Sequence, residues 1–162
     1  MKYISYDREY AKRHPDWLFI FADNTDRDSG THLINPDRPY IKKYGIGKHF
    51  PNVTSACIRG VVNAMPISTQ RYYHPGAKGV AGRWKDKDIK EFTDTIEDEI
   101  KDIKKYILES NPKEVILPAN GLFNSRISAI TIDRVPKIFR VLKSQLDDLE
   151  EFIVSHNLIT LK

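Results

Sequence analysis

Hydrogen-bonding side chains follow three separate apolar segments of this chain, a spacing that is typical of a ligand site. These polar groups are Asp23-Asn24, Ser68-Thr69 and Asn120-Gly121. In open α/β sheets, ligands bind beyond the carboxyl ends of the strands, because loops and helix N-termini meet there. Guanidinium groups neutralise phosphate through forked hydrogen bonds. Four arginines lie near these segments or between them: Arg27, Arg59, Arg71 and Arg126. The pattern predicts a site for a small phosphorylated nucleotide.

A short helix after Asn52 would add phosphate-binding groups to this site. Asn52 can cap the helix and Gly60 can end it. The unpaired backbone N–H groups and the positive dipole end of such a helix favour an anion. Because Arg59 would lie at its far end, we expect Arg27 to contribute more to anion binding. The predicted ligand-binding residues are Asp23, Asn24, Arg27, Asn52, Thr54, Ser55, Arg59, Ser68, Thr69, Arg71, Asn120, Gly121 and Arg126. Each also has a structural interpretation, as a turn residue or a backbone cap.

Aromatic residues flank a glycine-rich stretch in the middle of the chain. The rings of Tyr72, Tyr73 and Trp84 could stack on a base while Lys78 or Arg83 reaches a phosphate. We therefore predict that residues 72–87 form a mobile loop beside the site. The stretch lacks the Gly-Lys-Ser/Thr ending of a nucleotide P-loop. Packing of the aromatic rings against the margin of the sheet is an equally compatible interpretation.

The absence of familiar catalytic motifs favours binding over turnover. None of the five histidines stands in a His-Glu-x-x-His or His-x-Ser/Thr pattern, and the chain has no Gly-x-Ser-x-Gly. We therefore assign no catalytic residue, no metal site and no cofactor. If the protein is an enzyme, Asp23 is the candidate general base.

Three apolar runs predict the strands that position these residues. The first run is Trp17–Ala22 and the third is Glu114–Pro118, both typical of strands that are covered on both faces. The second run begins at Val61. Pro66 cannot donate a ladder hydrogen bond, so we predict that this strand ends near Met65 and continues into a loop over residues 68–71.

Two longer segments have the periodicity of helices that pack on a sheet. Apolar residues recur at steps of three and four between Asp88 and Ser110, and again from Pro136 to a predicted end near Ser155. Residues 3–6 and 158–161 are predicted as edge strands. Because strands alternate with helices along the chain, the sequence predicts a three-layer α/β fold with a largely parallel sheet.

Length and composition indicate one globular domain over residues 1–162, with residues 25–51 as a long irregular insertion. The net charge of +4 permits an anionic partner but is too small to predict nucleic acid. The N-terminal residues lack a signal pattern and no apolar run is long enough for a membrane span, so we expect a cytoplasmic protein without a membrane partner. The many apolar residues of the last helix predict a homo-oligomer.

Four stretches of the sequence resemble a family of small α/β proteins found mostly in bacteriophages. The family pattern has a Trp-x-Phe-Val-Phe-Gly-Asp-Asn strand end followed by an Arg, then Gly-Gly-Gln-Ala-x-x-x-Arg, Asn-Ala-x-Gly-Ile-Pro-Thr-Lys and Leu-Pro-x-x-Gly with a later Ala-Pro. The corresponding stretches here are Trp17–Asn24 with Arg27, Asn52–Arg59, Asn63–Thr69, and Leu117–Gly121 with Val135-Pro136. This chain departs from the pattern at Ala22, in the second stretch, and in residues 31–50, which look inserted.

The resemblance implies a Rossmann-like or macrodomain-like nucleotide pocket and, through phage ancestry, interference with nucleotide-based immune signalling in a host. We expect a protein that sequesters a cyclic or NAD-derived nucleotide without turnover. Two alternatives remain open. One is a hydrolase of an ADP-ribose or phosphodiester linkage, and the other is an inhibitor that binds a host defence protein.

Overall fold

The structure is a computed structural model that describes residues 1–24, 58, 60–70, 83–123 and 129–160, with the side chains of the last helix described as far as His156. Within these ranges, four strands form a parallel sheet in the order β1–β4–β2–β3. The strands are β1 (Lys2–Ile4), β2 (Trp17–Asn24), β3 (Ala64–Gln70) and β4 (Glu114–Pro118). The helices are α1 (Arg8–Arg13), α2 (Ile89–Ser110) and α3 (Pro136–Thr160), and a 3₁₀ turn covers Asp86–Asp88.

The sheet is covered on both faces, which explains the unbroken apolar run in β2. Leu18 and Ile20 belong to the core that contains α2 and α3, whereas Phe19 and Phe21 belong to the core that contains Ala11 of α1. Successive side chains of a strand point to opposite faces, so a strand covered on both sides has no polar face. This arrangement confirms the predicted three-layer α/β fold.

Helix α2 confirms the predicted amphipathic segment. Its inner face is a stripe of isoleucines around Ile96, Ile100 and Ile103, all buried against the sheet and α3. The helix ends at Asn111, whose N–H still donates to the carbonyl of Ile107 and whose left-handed backbone (φ 44°) turns the chain out of the helix. Asparagine tolerates that conformation better than most residues.

The prediction for β3 was wrong, because the strand begins at Ala64 and continues through Pro66 to Gln70. Within the described residues β3 pairs with β2 alone, and the backbone N–H of Ser68 points away from β2 to a side chain of α2. The nitrogen of Pro66, two residues earlier, faces the same outer side. A proline there removes no hydrogen bond from the β2–β3 ladder.

The two ends of the chain also differ from expectation. A predicted edge strand at residues 3–6 is present as β1, but α3 continues past Ser155 to Thr160, so residues 158–160 are helical and form no strand. Helix α1 was not predicted, although Asp7 carries its signal: the Asp7 carboxylate accepts a hydrogen bond from the backbone N–H of Tyr10 (2.7 Å).

Candidate functional site

The carboxyl ends of β2 and β3 form a cluster of buried polar side chains. Asp23 lies opposite Ser68, and Asn24 lies opposite Gln70, so Thr69 is an extra residue that bulges from the ladder. Bulges are frequent next to functional sites. The described part of the chain has six buried polar or charged residues. Four of them lie at this edge of the sheet: Asp23, Ser68, Thr69 and Gln70.

Glu99 of α2 joins this cluster from the outer side of β3. Its carboxylate accepts hydrogen bonds from the backbone N–H of Ser68 (2.8 Å) and from the Ser68 hydroxyl (2.7 Å). A buried carboxylate is costly unless hydrogen bonds compensate it, and bonds to an ionised acceptor are the strong ones. Glu99 thereby provides the acceptor for the Ser68 N–H, which would otherwise be unpaired at the outer edge of β3.

Sequence reasoning missed Glu99, although the sequence contains a signal for it. The residue stands three positions after Ile96 and four before Ile103, in the middle of the apolar stripe of α2. A carboxylate at such a position has to find a partner inside the protein. The interruption of the stripe therefore marks the place where α2 meets polar groups of the sheet.

Of the two roles that the sequence allowed for Trp84, base stacking or packing against the sheet, the structure shows packing. The side chain is fully buried and meets Phe92 edge to face, with ring centroids 5.1 Å apart. Its Nε1–H donates to the carbonyl of Ser68 (3.0 Å). Trp84 and Glu99 together bind both outward-facing backbone groups of Ser68, which fixes the end of β3.

Two arginines stand next to this anchored segment. The Nη2 of Arg134 donates to the carbonyl of Trp84 (3.0 Å), and its Nε donates to the carbonyl of Ala129 (2.6 Å). Partial burial lowers the pKa of Arg134, and the positive charge of Arg83 lowers it further, while Asp86 acts in the opposite direction. The charges of Arg83, Arg134 and Asp86 therefore lie close enough to influence one another.

Asp86 also fixes the start of α3. Its Oδ1 accepts hydrogen bonds from the backbone N–H groups of Lys137 and Ile138, each at 3.2 Å. These are two of the N–H groups that a helix leaves unpaired in its first turn. The segment that contains Trp84 and Asp86 thus connects the end of β3 to the first turn of α3.

The third predicted group, Asn120-Gly121, forms a tight turn after β4. The N–H of Gly121 donates to the carbonyl of Pro118 (2.8 Å), and Gly121 has a positive φ of 73°. Asn120 is exposed. The turn lies at the same edge of the sheet as Asp23, because β4 is parallel to β2 and next to it.

Many of the predicted site residues lie outside the described ranges, as do the predicted insertion at 25–51 and most of the predicted loop at 72–87. Among the described residues, no group of three or more His, Cys, Asp or Glu side chains is placed to hold a metal ion. The predicted residues outside the ranges are Arg27, Asn52, Thr54, Ser55, Arg59, Arg71, Tyr72, Tyr73 and Arg126.

A model of a protein family of unknown function, DUF7831, matches residues 2–145. The chain belongs to this family. The match includes all four strands, α2 and the first turns of α3, so the polar cluster lies wholly within the DUF7831 region. Comparisons with curated proteins and with solved structures gave no match. None of the helices in the described part of this DUF7831 protein is long and apolar enough to cross a membrane.

Proposed function

We propose that this DUF7831 protein binds a small phosphorylated nucleotide at the carboxyl edge of its sheet and holds it without turnover. The observation that carries the proposal is the convergence of Asp23, Ser68, Thr69 and Gln70 at the adjacent ends of two parallel strands. Polar side chains are rarely collected at a buried position without a structural or a functional reason. Ligands of open α/β sheets bind at this edge.

The charges around the cluster support a ligand with both polar and anionic parts. Asp23 and Glu99 provide hydrogen-bond acceptors at the strand ends, where hydroxyl or amino groups would bind. Arg83 is the sequence neighbour of Trp84, Arg134 donates to the Trp84 carbonyl, and guanidinium groups of this kind are candidates to bind phosphate. Nucleic acid is not part of the proposal, because the net charge is only +4.

We infer the biological role from the phage resemblance: sequestration of a cyclic or NAD-derived nucleotide that a host uses as an immune signal. Sequestration needs complementarity to the ligand as it is, whereas catalysis needs complementarity to a transition state. Rigid anchoring of Ser68 by Glu99 and Trp84 suits the first requirement. The predicted homo-oligomer is not part of the proposal, because Leu146, Leu149 and other apolar residues of α3 that suggested it are buried within the chain.

Asp23 supports a second candidate, a hydrolase of an ADP-ribose or phosphodiester linkage. Asp23 is 4% exposed as a residue and lies at the end of β2 opposite Ser68, a position from which its carboxylate could orient a water molecule. In that case Asp23→Asn would abolish turnover while binding largely remains.

Mass spectrometry of small molecules released by heat from the natively purified protein tests the proposal directly. We expect an intact phosphorylated nucleotide, and we expect cyclic and NAD-derived nucleotides added to the protein to be recovered unchanged after incubation. A modified product that disappears in Asp23→Asn would replace sequestration by hydrolysis. If no nucleotide is carried through purification and none raises the melting temperature, the proposed function is wrong.

A further inference from the structure

Thr69, near the end of β3, has a hydroxyl that forms no hydrogen bond among the described residues. The residue is 3% exposed and forms the bulge between Asp23 and Asn24 of the neighbouring strand. Within the part of the chain that the structure describes, its side chain has no hydrogen-bond partner. The hydroxyl of Ser68, one residue earlier, donates to Glu99 at 2.7 Å.

A buried hydroxyl that lacks a partner among the described residues is the kind of group that a ligand can satisfy. Buried polar side chains in native proteins are almost always paired with protein or with an ordered molecule. Valine has nearly the shape of threonine but no hydroxyl, so it would fill the position without the cost of burying an unpaired polar group. The unpaired hydroxyl at a bulge therefore points to a bound water molecule or to a group of the ligand.

The surrounding charges decide which group of a nucleotide would fit. Asp23 is buried opposite Ser68, and Glu99 binds Ser68 directly, so two carboxylates lie around the strand end. A phosphate there would meet like charge. A sugar hydroxyl can accept a hydrogen bond from Thr69 and donate one in return, and it carries no charge.

We propose that the hydroxyl of Thr69 binds a ribose hydroxyl of the nucleotide and makes the site selective for ribonucleotides over deoxyribonucleotides. This inference rests on the proposed function and assigns the two halves of that site: the sugar lies against the ends of β2 and β3, and the phosphate lies toward Arg83 and Arg134. Loss of the sugar hydroxyl would leave Thr69 unpaired in the complex, the situation in which binding sites discriminate most strongly.

The experiment measures affinity by calorimetric titration with the four common ribonucleoside 5′-diphosphates and with their 2′-deoxy and 3′-deoxy forms. We expect at least one ribonucleotide to bind, and one of its deoxy forms to bind about tenfold or more weakly. In Thr69→Val we expect the ribonucleotide to bind only as well as its deoxy form. In Thr69→Ser, which keeps a hydroxyl, we expect the ribonucleotide to bind more tightly than the deoxy form again.

Thr93→Val is the matched control, because the Thr93 hydroxyl already donates to the carbonyl of Ile89 within α2 (2.7 Å). It should leave both affinities unchanged. The melting temperature of ligand-free Thr69→Val should be unchanged or higher, and a clear decrease would show that the hydroxyl has a structural partner and would overturn the inference.

The outcomes separate the inference from the function on which it rests. If ribonucleotides and both deoxy forms bind equally, or if Thr69→Val binds like the unchanged protein, Thr69 holds water only and the inference is wrong while nucleotide binding stands. If none of these nucleotides binds, the sugar contact is wrong; if, in addition, no cyclic or NAD-derived nucleotide raises the melting temperature, the proposed function fails as well.

Discussion

The two ends of β3 both bury polar side chains, but they do so in different ways. At the amino end, the Nδ2 of Asn63 lies within hydrogen-bond distance of three backbone carbonyls: Ala11 (3.1 Å), His14 (2.9 Å) and Trp17 (2.9 Å). This single amide holds the turn between α1 and β2 against the start of β3. At the carboxyl end, several polar and ionisable side chains meet, and the Thr69 hydroxyl has no partner within the described residues.

The difference teaches how to distinguish a structural polar group from a functional one. The Asn63 amide is uncharged, and its donors serve the backbone. The carboxyl end instead combines a buried carboxylate, a bulge and two nearby arginines. Folding alone does not require that combination, so substitutions at the amino end should change stability only, and substitutions at the carboxyl end should also change binding.

The largest effect is expected for Asn63→Asp. The exchange keeps the shape of the side chain but places a carboxylate oxygen where the amide faces three carbonyl oxygens. We expect the free energy of unfolding to fall by about 4 kcal/mol or more, as measured by urea denaturation. Asn120→Asp in the exposed turn after β4 should change it by roughly 0.5 kcal/mol or less. Similar losses in both variants would contradict a structural role for Asn63.

Glu99→Leu should lower both stability and ligand affinity. Leucine fills the space of the carboxylate but leaves the Ser68 N–H and hydroxyl without their acceptor, so we expect a loss of about 3 kcal/mol in the free energy of unfolding. Glu99→Gln should cost about 1 kcal/mol or less, because the amide can still accept from the N–H and can donate to the hydroxyl. Equal costs for the two variants would mean that the hydrogen bonds to Ser68 contribute little.

Arg134→Gln should weaken nucleotide binding more than it lowers stability. Arg134 is exposed and lies near Arg83. Loss of its charge should therefore weaken the binding of the nucleotide phosphate by roughly 1 kcal/mol, about a fivefold change in affinity. Arg140→Gln removes the same charge from an exposed position on α3 and should leave calorimetric affinity unchanged. If the two variants bind equally, net charge rather than a local phosphate contact explains the interaction.

The smallest effect is expected for the ion pair at the amino end, between Lys113 Nζ and Asp16 Oδ2 (3.2 Å). Both side chains are well exposed, and solvent screens such pairs strongly. Asp16→Asn should therefore shift the free energy of unfolding by about 0.5 kcal/mol or less and leave nucleotide affinity unchanged. A change in affinity would show that the amino end is not purely structural.

The parts of the fold with a clear periodicity could be predicted from sequence. Helix α2 and strand β4 were predicted almost to the residue, because an isoleucine stripe and an apolar run bounded by prolines each fit one structure. The extent of strand β3 could not be predicted from sequence. A proline is excluded only from strand positions whose N–H would face a neighbouring strand, and the sequence does not show which way the nitrogen of Pro66 faces. That orientation at Pro66 depends on the strand order, which no local pattern encodes.

The candidate site was predictable in part. Asp23, Ser68 and Thr69 were identified because polar residues directly followed apolar runs, and the structure brings them together at one edge of the sheet. Glu99 and Arg134 come from helices or turns far away in sequence, so only tertiary packing reveals their contacts. Trp84 is the opposite case, a residue that the sequence suggested as a ligand contact. An aromatic residue in a glycine-rich region favours that interpretation, and only the full burial of its ring shows that it packs inside the protein.

The strand order has a consequence for how the chain acquires its structure during synthesis. Strand β4 lies between β1 and β2, so Lys2 pairs with Ile116 and Trp17 pairs with Glu114. Until β4 leaves the ribosome, β1 has no neighbouring strand among those that the structure describes, and β2 exposes one of its edges. Contacts across such long sequence separations form slowly, and unpaired strand edges in the meantime favour aggregation. Ribosome-bound chains that end before Glu114 should therefore be protease-sensitive at both strands, and protection should appear only after residue 118 has emerged.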